Sequence, residues 1–135
     1  MSRHVPLFVA LVLALGPVAS PVAQTAYTYP QLRLVRQIAV ATYLAELCNA
    51  GISDAGVAKA LRSEGLREQD LQSAFLKDEM AKQKIAIRDS YEALSMTILG
   101  RSEAFRRQCA GLETNYGPRG TVRRGLAIRA ARSSA

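Results

Sequence analysis

The chain has 135 residues, a formal net charge of +7 from 18 Lys/Arg against 11 Asp/Glu, and no tryptophan. A length of this order makes one domain with a modest core. The charge is uneven: residues 24–116 carry 12 basic and 11 acidic side chains, whereas residues 117–135 carry Arg119, Arg123, Arg124, Arg129 and Arg132 and no acid. The high pI is therefore a property of the C-terminal stretch, and net charge alone gives no argument for nucleic-acid binding.

Residues 1–23 read as a secretory signal peptide. Arg3 and His4 give a positive start, Val5 to Leu15 is apolar apart from Pro6, and Gly16, Pro17, Ala19, Ser20, Pro21 and Ala23 supply small or helix-breaking residues. A spanning helix needs about 20 apolar residues, more than this run offers. Cleavage is expected after Ala23, within a window from Ala19 to Ala26. The working protein is then periplasmic or secreted, with no transmembrane segment.

Residues 24–116 are expected to form an all-α domain, a small bundle of four to five helices. Pro30 can open the first helix. Leu34, Ile38, Ala41, Ala45 and Cys48 form one apolar stripe, and Leu32, Val35, Val40, Tyr43, Leu44 and Leu47 extend it. A helix this apolar belongs at the centre of a bundle. Asn49-Ala50-Gly51 ends it. Ser53 can cap a short second helix with Val57, Ala58 and Leu61 on its apolar face, stopped at Gly65. A long third helix is expected from about Arg67 to Leu99, with Leu76, Met80, Ile87, Tyr91, Leu94 and Ile98 at helical spacing. Leu71 and Phe75 sit on a shifted stripe, which predicts a kink or break near Ala81–Gln83. Gly100 is a stop signal. Ser102 can cap a fourth helix with Phe105, Cys109 and Leu112 in phase, ended by Gly117-Pro118. A weak last helix is expected from Thr121 to about Ala131. The stretch 117–135 is otherwise a basic tail, weakly helical or disordered, whose removal from residue 119 onward is expected to leave folding intact.

Two cysteines in an exported chain point to one structural disulfide, Cys48 to Cys109. It would pin the first helix to the fourth. A catalytic pair is expected closer together, as Cys-X-X-Cys.

The only histidine, His4, leaves with the signal peptide. This excludes Ser-His-Asp and Cys-His nucleophile systems and His-based metal sites from the exported part. No cofactor or metal site is expected. Glu64, Glu68, Asp78, Glu79, Asp89, Glu92, Glu103 and Glu113 are acid–base candidates by type, but their basic neighbours mark solvated helix faces. Glu46 in the apolar first helix reads either as a buried acid or as that helix's exposed edge beside Arg33 and Arg36. No catalytic residue is expected, and the chain reads as no enzyme. The tail arginines, Arg119, Arg123, Arg124, Arg129 and Arg132, can bind phosphates. Outside the cytoplasm the anionic partners are lipid head groups, lipopolysaccharide or an acidic protein face rather than nucleic acid. Tyr116 to Val122 reads as a compact turn whose Tyr packs back on the domain.

The helix ending in Cys48, the long helical middle, Phe105 through Cys109-Ala110-Gly111-Leu112, and the Gly-rich arginine stretch resemble small exported helical proteins of alphaproteobacteria, which carry over no activity. In architecture, Cys48 and Cys109 also resemble the single-disulfide periplasmic acid-stress chaperones. The expected function is a non-enzymatic binding or structural protein of the bacterial envelope. The alternative is an acid-stress chaperone-like protein held by its one disulfide.

Overall fold

The structure is a computed structural model that describes residues 27–98 and 100–128. The expected signal segment, Arg129 and Arg132 lie outside the described residues. Four α-helices form in the described part: α1 (Tyr29–Leu47), α2 (Asp54–Ser63), α3 (Ala74–Ser95) and α4 (Gly100–Tyr116). A 3-10 turn (Glu68–Gln72) precedes α3. Two-residue strands β1 (Gly51–Ile52) and β2 (Ala127–Ile128) pair antiparallel, with Gly51 opposite Ile128 and Ile52 opposite Ala127. The protein is thus a small, mostly helical fold closed by one disulfide.

Local chemistry sets the helix starts. The Thr28 hydroxyl accepts from the Gln31 amide, and the Gln31 side chain accepts from the Thr28 amide at 2.9 Å, a reciprocal cap with Pro30 in the first turn. Gln31 Nε2 also donates to the Glu64 carbonyl at 2.9 Å, tying the start of α1 to the end of α2. Ser53 Oγ accepts from the Gly56 amide at 3.0 Å and caps α2, with Asp54 in its first turn. Asn49, at φ 52°, turns the chain out of α1, and Gly65, at φ 72°, turns it out of α2.

Three expectations are corrected. The third helix does not begin at Arg67. Asp70 Oδ2 accepts from the Arg67 amide at 2.7 Å and holds a 3-10 turn, after which Ser73 adopts an extended backbone and caps α3 by accepting from the Leu76 amide. Leu71 and Phe75 therefore belong to different segments, which explains their shifted stripe, and α3 runs unbroken through Ala81–Gln83. Secondly, α4 begins at Gly100, before Ser102. Thirdly, residues 121–128 form turn and strand instead of a helix. Leu126 is fully buried there, and its carbonyl accepts from the Ser53 amide at 2.8 Å.

The core is built around α1, as its composition predicts. Leu34, Val35, Ile38, Ala41, Leu44 and Ala45 meet Leu61 of α2, Leu76 of α3, Leu112 and Tyr116 of α4, and Leu66 and Leu126 of the connections. Each fully buried Leu contributes about 2 kcal/mol. Helix α2 runs back along α1, as the Gln31–Glu64 bond requires. Helix α3 then rises beside α1. Tyr27 stacks on Phe75 at 5.8 Å near their starts, Arg36 pairs with Glu79 at 3.0 Å, and Glu46 pairs with Lys84 at 3.6 Å near the end of α1.

Candidate anionic-surface interface

The Cys48–Cys109 disulfide forms, with Cα atoms 5.6 Å apart, and joins the residue that ends α1 to the middle of α4. It closes a loop of 60 intervening residues. On chain-entropy grounds such a cross-link stabilises by about 4 kcal/mol. A groove of about 160 Å³ beside it is lined by Leu112, Pro118, Ala127 and Ile128, smaller than the roughly 300 Å³ from which ligand pockets usually start.

The arginine-bearing stretch is shaped by its backbone. The Thr121 amide donates to the Thr114 carbonyl, the Val122 and Arg123 amides both donate to the Asn115 carbonyl, and the Gly125 amide donates to the Gly117 carbonyl at 2.8 Å. Tyr116 is buried, as expected. The loop then lies flush on α2 at Gly56: a Cβ there would run into the Gly125 carbonyl oxygen. Only glycine permits this approach of two backbones.

This locked loop sorts the arginines. Arg123 Nε donates to Gln37 Oε1 at 3.2 Å, and its Nη2 lies 3.6 Å from Glu64 Oε1. It therefore clamps the loop to α1 and to the end of α2, and its charge is matched internally. Arg119 and Arg124 are exposed and make no ion pair with the described residues. Arg124 shares with Lys59, Ser63 and Thr121 a groove of about 530 Å³ between α2 and residues 120–125. The Ser63 hydroxyl donates to the Ala60 carbonyl and the Thr121 hydroxyl to the Thr114 carbonyl, which leaves Lys59 and Arg124 as the groove's cations without an ion pair among the described residues. Lys59 was not legible as a partner of the tail, because nothing in the sequence places α2 against residues 120–125.

The carboxylates occupy solvated or ion-paired positions. Asp78 pairs with Lys82 at 2.6 Å, Glu79 with Arg36 and Lys82, and Asp89 with Arg88. Glu103 accepts from Arg107 and Arg106, and these bonds hold its carboxyl below the usual range. Glu46 is an exposed residue of α1 rather than a buried acid, and it pairs with Lys84 of α3 at 3.6 Å. Among the described residues no group of three or more His, Cys, Asp or Glu side chains is placed to hold a metal, and no helix is long and apolar enough to cross a membrane.

The far end of α3 and the start of α4 form a helical hairpin. Tyr43, near the end of α1, is pushed up in pKa by burial and by the negative field of Glu92 beside it. The last turns of α1 thus reach residues 88–92 of α3. Tyr91 at that level and Ala104 of α4 are buried apart from the main core. Met96, Ile98 and Phe105 are exposed, Met96 at 84% and Ile98 completely. Their spacing predicts core positions for Ile98 and Phe105, but α1 stops short of them and nothing among the described residues covers the tip.

The fold and these two surfaces define a small disulfide-stapled helical domain with an ordered basic loop. No family model, curated protein or solved structure matches the chain.

Proposed function

We propose that this protein is an exported, non-enzymatic binding protein of the bacterial envelope that engages anionic surfaces through Arg119, Arg124 and the arm carrying Arg129 and Arg132. One observation carries the reading: the loop from Gly117 to Gly125 is fixed by backbone hydrogen bonds and by the Arg123–Glu64 and Arg123–Gln37 contacts, yet it leaves Arg119 and Arg124 exposed and without an ion pair among the described residues. A rigid mount lowers the entropy cost of ordering an arginine on a phosphate or carboxylate. Lys59 across the groove adds to the same positive field. The signal-peptide pattern and the disulfide support an oxidising, extracytoplasmic location.

The test is sedimentation with vesicles containing phosphatidylglycerol at low salt. Arg119→Ala combined with Arg124→Ala is expected to weaken binding several-fold, and added salt to weaken it further. Equal binding by this variant and the parent removes these two arginines from the reading. Absence of binding by the parent to anionic vesicles, together with no envelope protein captured by it, removes the reading altogether.

The acid-stress chaperone reading is supported by the exposed Ile85, Met96, Ile98 and Phe105, which are of the type that hold unfolded clients. Against it, no charged side chain is buried among the described residues, so protonation releases no buried carboxylate that would loosen the core. A cooperative fold that stays inert toward unfolded clients down to about pH 3, below ordinary carboxylate pKa values, sinks this alternative.

A further inference from the structure

We propose that the groove between α2 and residues 120–125 is a binding site for the phosphate ester of a polyol, with Lys59 and Arg124 on the phosphate and the Ser63 and Thr121 oxygens on the polyol hydroxyls. The proposal rests on the reading above that the partner is anionic, and it names the group that is recognised.

The shape comes first. Lys59 and Ser63 are four residues apart on α2, and Gly56 and Ala60 stand three residues before each of them, so all four share one helix face. Thr121 and Arg124 line the groove from the loop side. Gly56 and Ala60 have no long side chain to fill the space between. The groove measures about 530 Å³, within the roughly 300–1,000 Å³ usual for ligand pockets. Its two walls are locked together by the Arg123 contacts to Gln37 and Glu64 and by the close approach of Gly56 to the Gly125 carbonyl. A site fixed in advance loses little freedom on binding.

The charge comes next. Lys59 and Arg124 are exposed and make no ion pair with the described residues. Arg123 also lines the groove, but Glu64 matches its charge at 3.6 Å. No acidic side chain is part of the lining. An anion there meets a guanidinium that can fork onto two phosphate oxygens and an ammonium that supplies a point charge.

The hydroxyls set the rest of the ligand. The Ser63 hydroxyl donates to the Ala60 carbonyl at 2.7 Å. The Thr121 hydroxyl has one proton and two internal acceptors, the Thr114 carbonyl and Asn115 Oδ1, each at 3.3 Å. With both protons turned inward, each oxygen has only lone pairs left to offer. The groove therefore combines cations for an anion with acceptors for neighbouring O–H groups. A carboxylate side chain satisfies the cations alone. A glycerol or sugar phosphate satisfies both. The same chemistry is presented by a lipid head group and by a free ester.

The test compares vesicles whose anionic lipid is phosphatidylglycerol with vesicles whose anionic lipid is phosphatidylmethanol, equal in charge but without head-group hydroxyls. The disulfide-intact protein is expected to bind the first about threefold to tenfold more tightly, the worth of about one hydrogen bond. Lys59→Ala with Arg124→Ala is expected to weaken binding to phosphatidylglycerol by about tenfold or more. Ser63→Ala with Thr121→Ala is expected to erase the preference and keep the binding to phosphatidylmethanol. Soluble glycerol phosphate separates the two sources. Amide NMR shifts confined to residues 56–63 and 120–125, and weaker with methyl phosphate, support the groove. The same shifts in protein that ignores both vesicles assign the groove to free esters and remove the membrane from the reading above. Equal binding to the two lipids, or a preference that survives Ser63→Ala with Thr121→Ala, overturns the groove and leaves the arginine reading standing. No binding to either vesicle and no shift with glycerol phosphate overturns both.

Discussion

The molecule has two ends that obey different rules. At one end α1, α2, the lower parts of α3 and α4, and residues 117–128 converge on Leu34, Leu61, Leu76, Leu112 and Leu126. There each segment is held by at least two unrelated contacts. The loop at residues 117–125, for example, has its backbone bonds, the Arg123 clamp and the close approach to Gly56. At the other end, among the described residues, the α3–α4 hairpin has its two helices, the buried Tyr91 and Ala104, and the disulfide at its base. The same kind of apolar periodicity runs through both ends. Burial depends on whether a partner lies opposite, and α1 supplies one only as far as Leu47. Stability is concentrated at the converging end, which leaves the projecting end available for contact.

Removing residues 119–135 is the strongest way to break this comparison. Sequence reasoning expects folding to survive. The structure places Leu126 in the core, Arg123 between α1 and α2, and β2 on β1. The deletion is therefore expected to cost more than about 3 kcal/mol, since loss of one buried Leu side chain alone costs about 2–5 kcal/mol. Denaturant unfolding measures it. A truncation after Ile128 keeps all these groups and is expected to unfold like the parent.

Opening the disulfide is next. Cys48→Ala with Cys109→Ala should lower unfolding free energy by about 4 kcal/mol. Hydrogen exchange sharpens the comparison: protection should fall more in residues 91–108 than around Leu34 and Leu61. A uniform fall would show that the hairpin is no more independent than the core.

Gly56→Ala should cost about 1–3 kcal/mol, the usual range for forcing extra atoms into a tight contact, because the new Cβ meets the Gly125 carbonyl. The same change at the half-buried Gly111, where a Cβ meets only Asn115 Nδ2 at 3.9 Å, should stabilise slightly or do nothing. Chemical denaturation of the two variants compares them directly.

Alkaline pH gives a smaller effect at both ends. Burial raises the pKa of Tyr116, and burial followed by the field of Glu92 raises that of Tyr43. A raised folded-state pKa means that the folded protein holds its proton where the unfolded chain has lost it. Stability is therefore full below about pH 10, the ordinary tyrosine value, and declines as pH rises from there through the folded pKa values. Thermal unfolding between about pH 8 and pH 11 follows this, and Tyr43→Phe with Tyr116→Phe should flatten the decline.

The smallest expected effect on folding is at the tip. Met96→Ser with Ile98→Ser should shift stability by less than about 0.5 kcal/mol, as at other exposed positions. A larger loss would mean that the tip packs against something in the folded protein.

Much of the fold was legible from particular residues. Pro30, Ser53 and Gly65 mark helix ends through local chemistry that needs no tertiary partner, while the Thr28 cap emerged only in the structure. The density of Leu, Ile, Val and Ala from Leu32 to Leu47 made α1 central, because a helix apolar on most faces must be enclosed. A single pair of cysteines allowed one intramolecular bridge and so named the staple. Other features were not legible. Ser73 competes with an equally helical reading from Arg67 onward, and Asp70 decided it by bonding back to the Arg67 amide. Residues 121–128 look like a weak basic helix because composition shows the arginines and not the docking of Leu126. Lys59 and Arg124 come to one groove only because α2 lies under the loop.

The sequence by itself determined the helical segments, the cysteine pair, and the charge asymmetry between residues 24–116 and 117–135. Each depends on residues near in sequence or on counting. Tertiary structure alone decided which loop arginine is clamped and which are exposed, and which apolar residues remain exposed. Those outcomes depend on how far α1 extends beside α3 and α4, and on which backbone comes close enough to Gly56 to exclude a side chain.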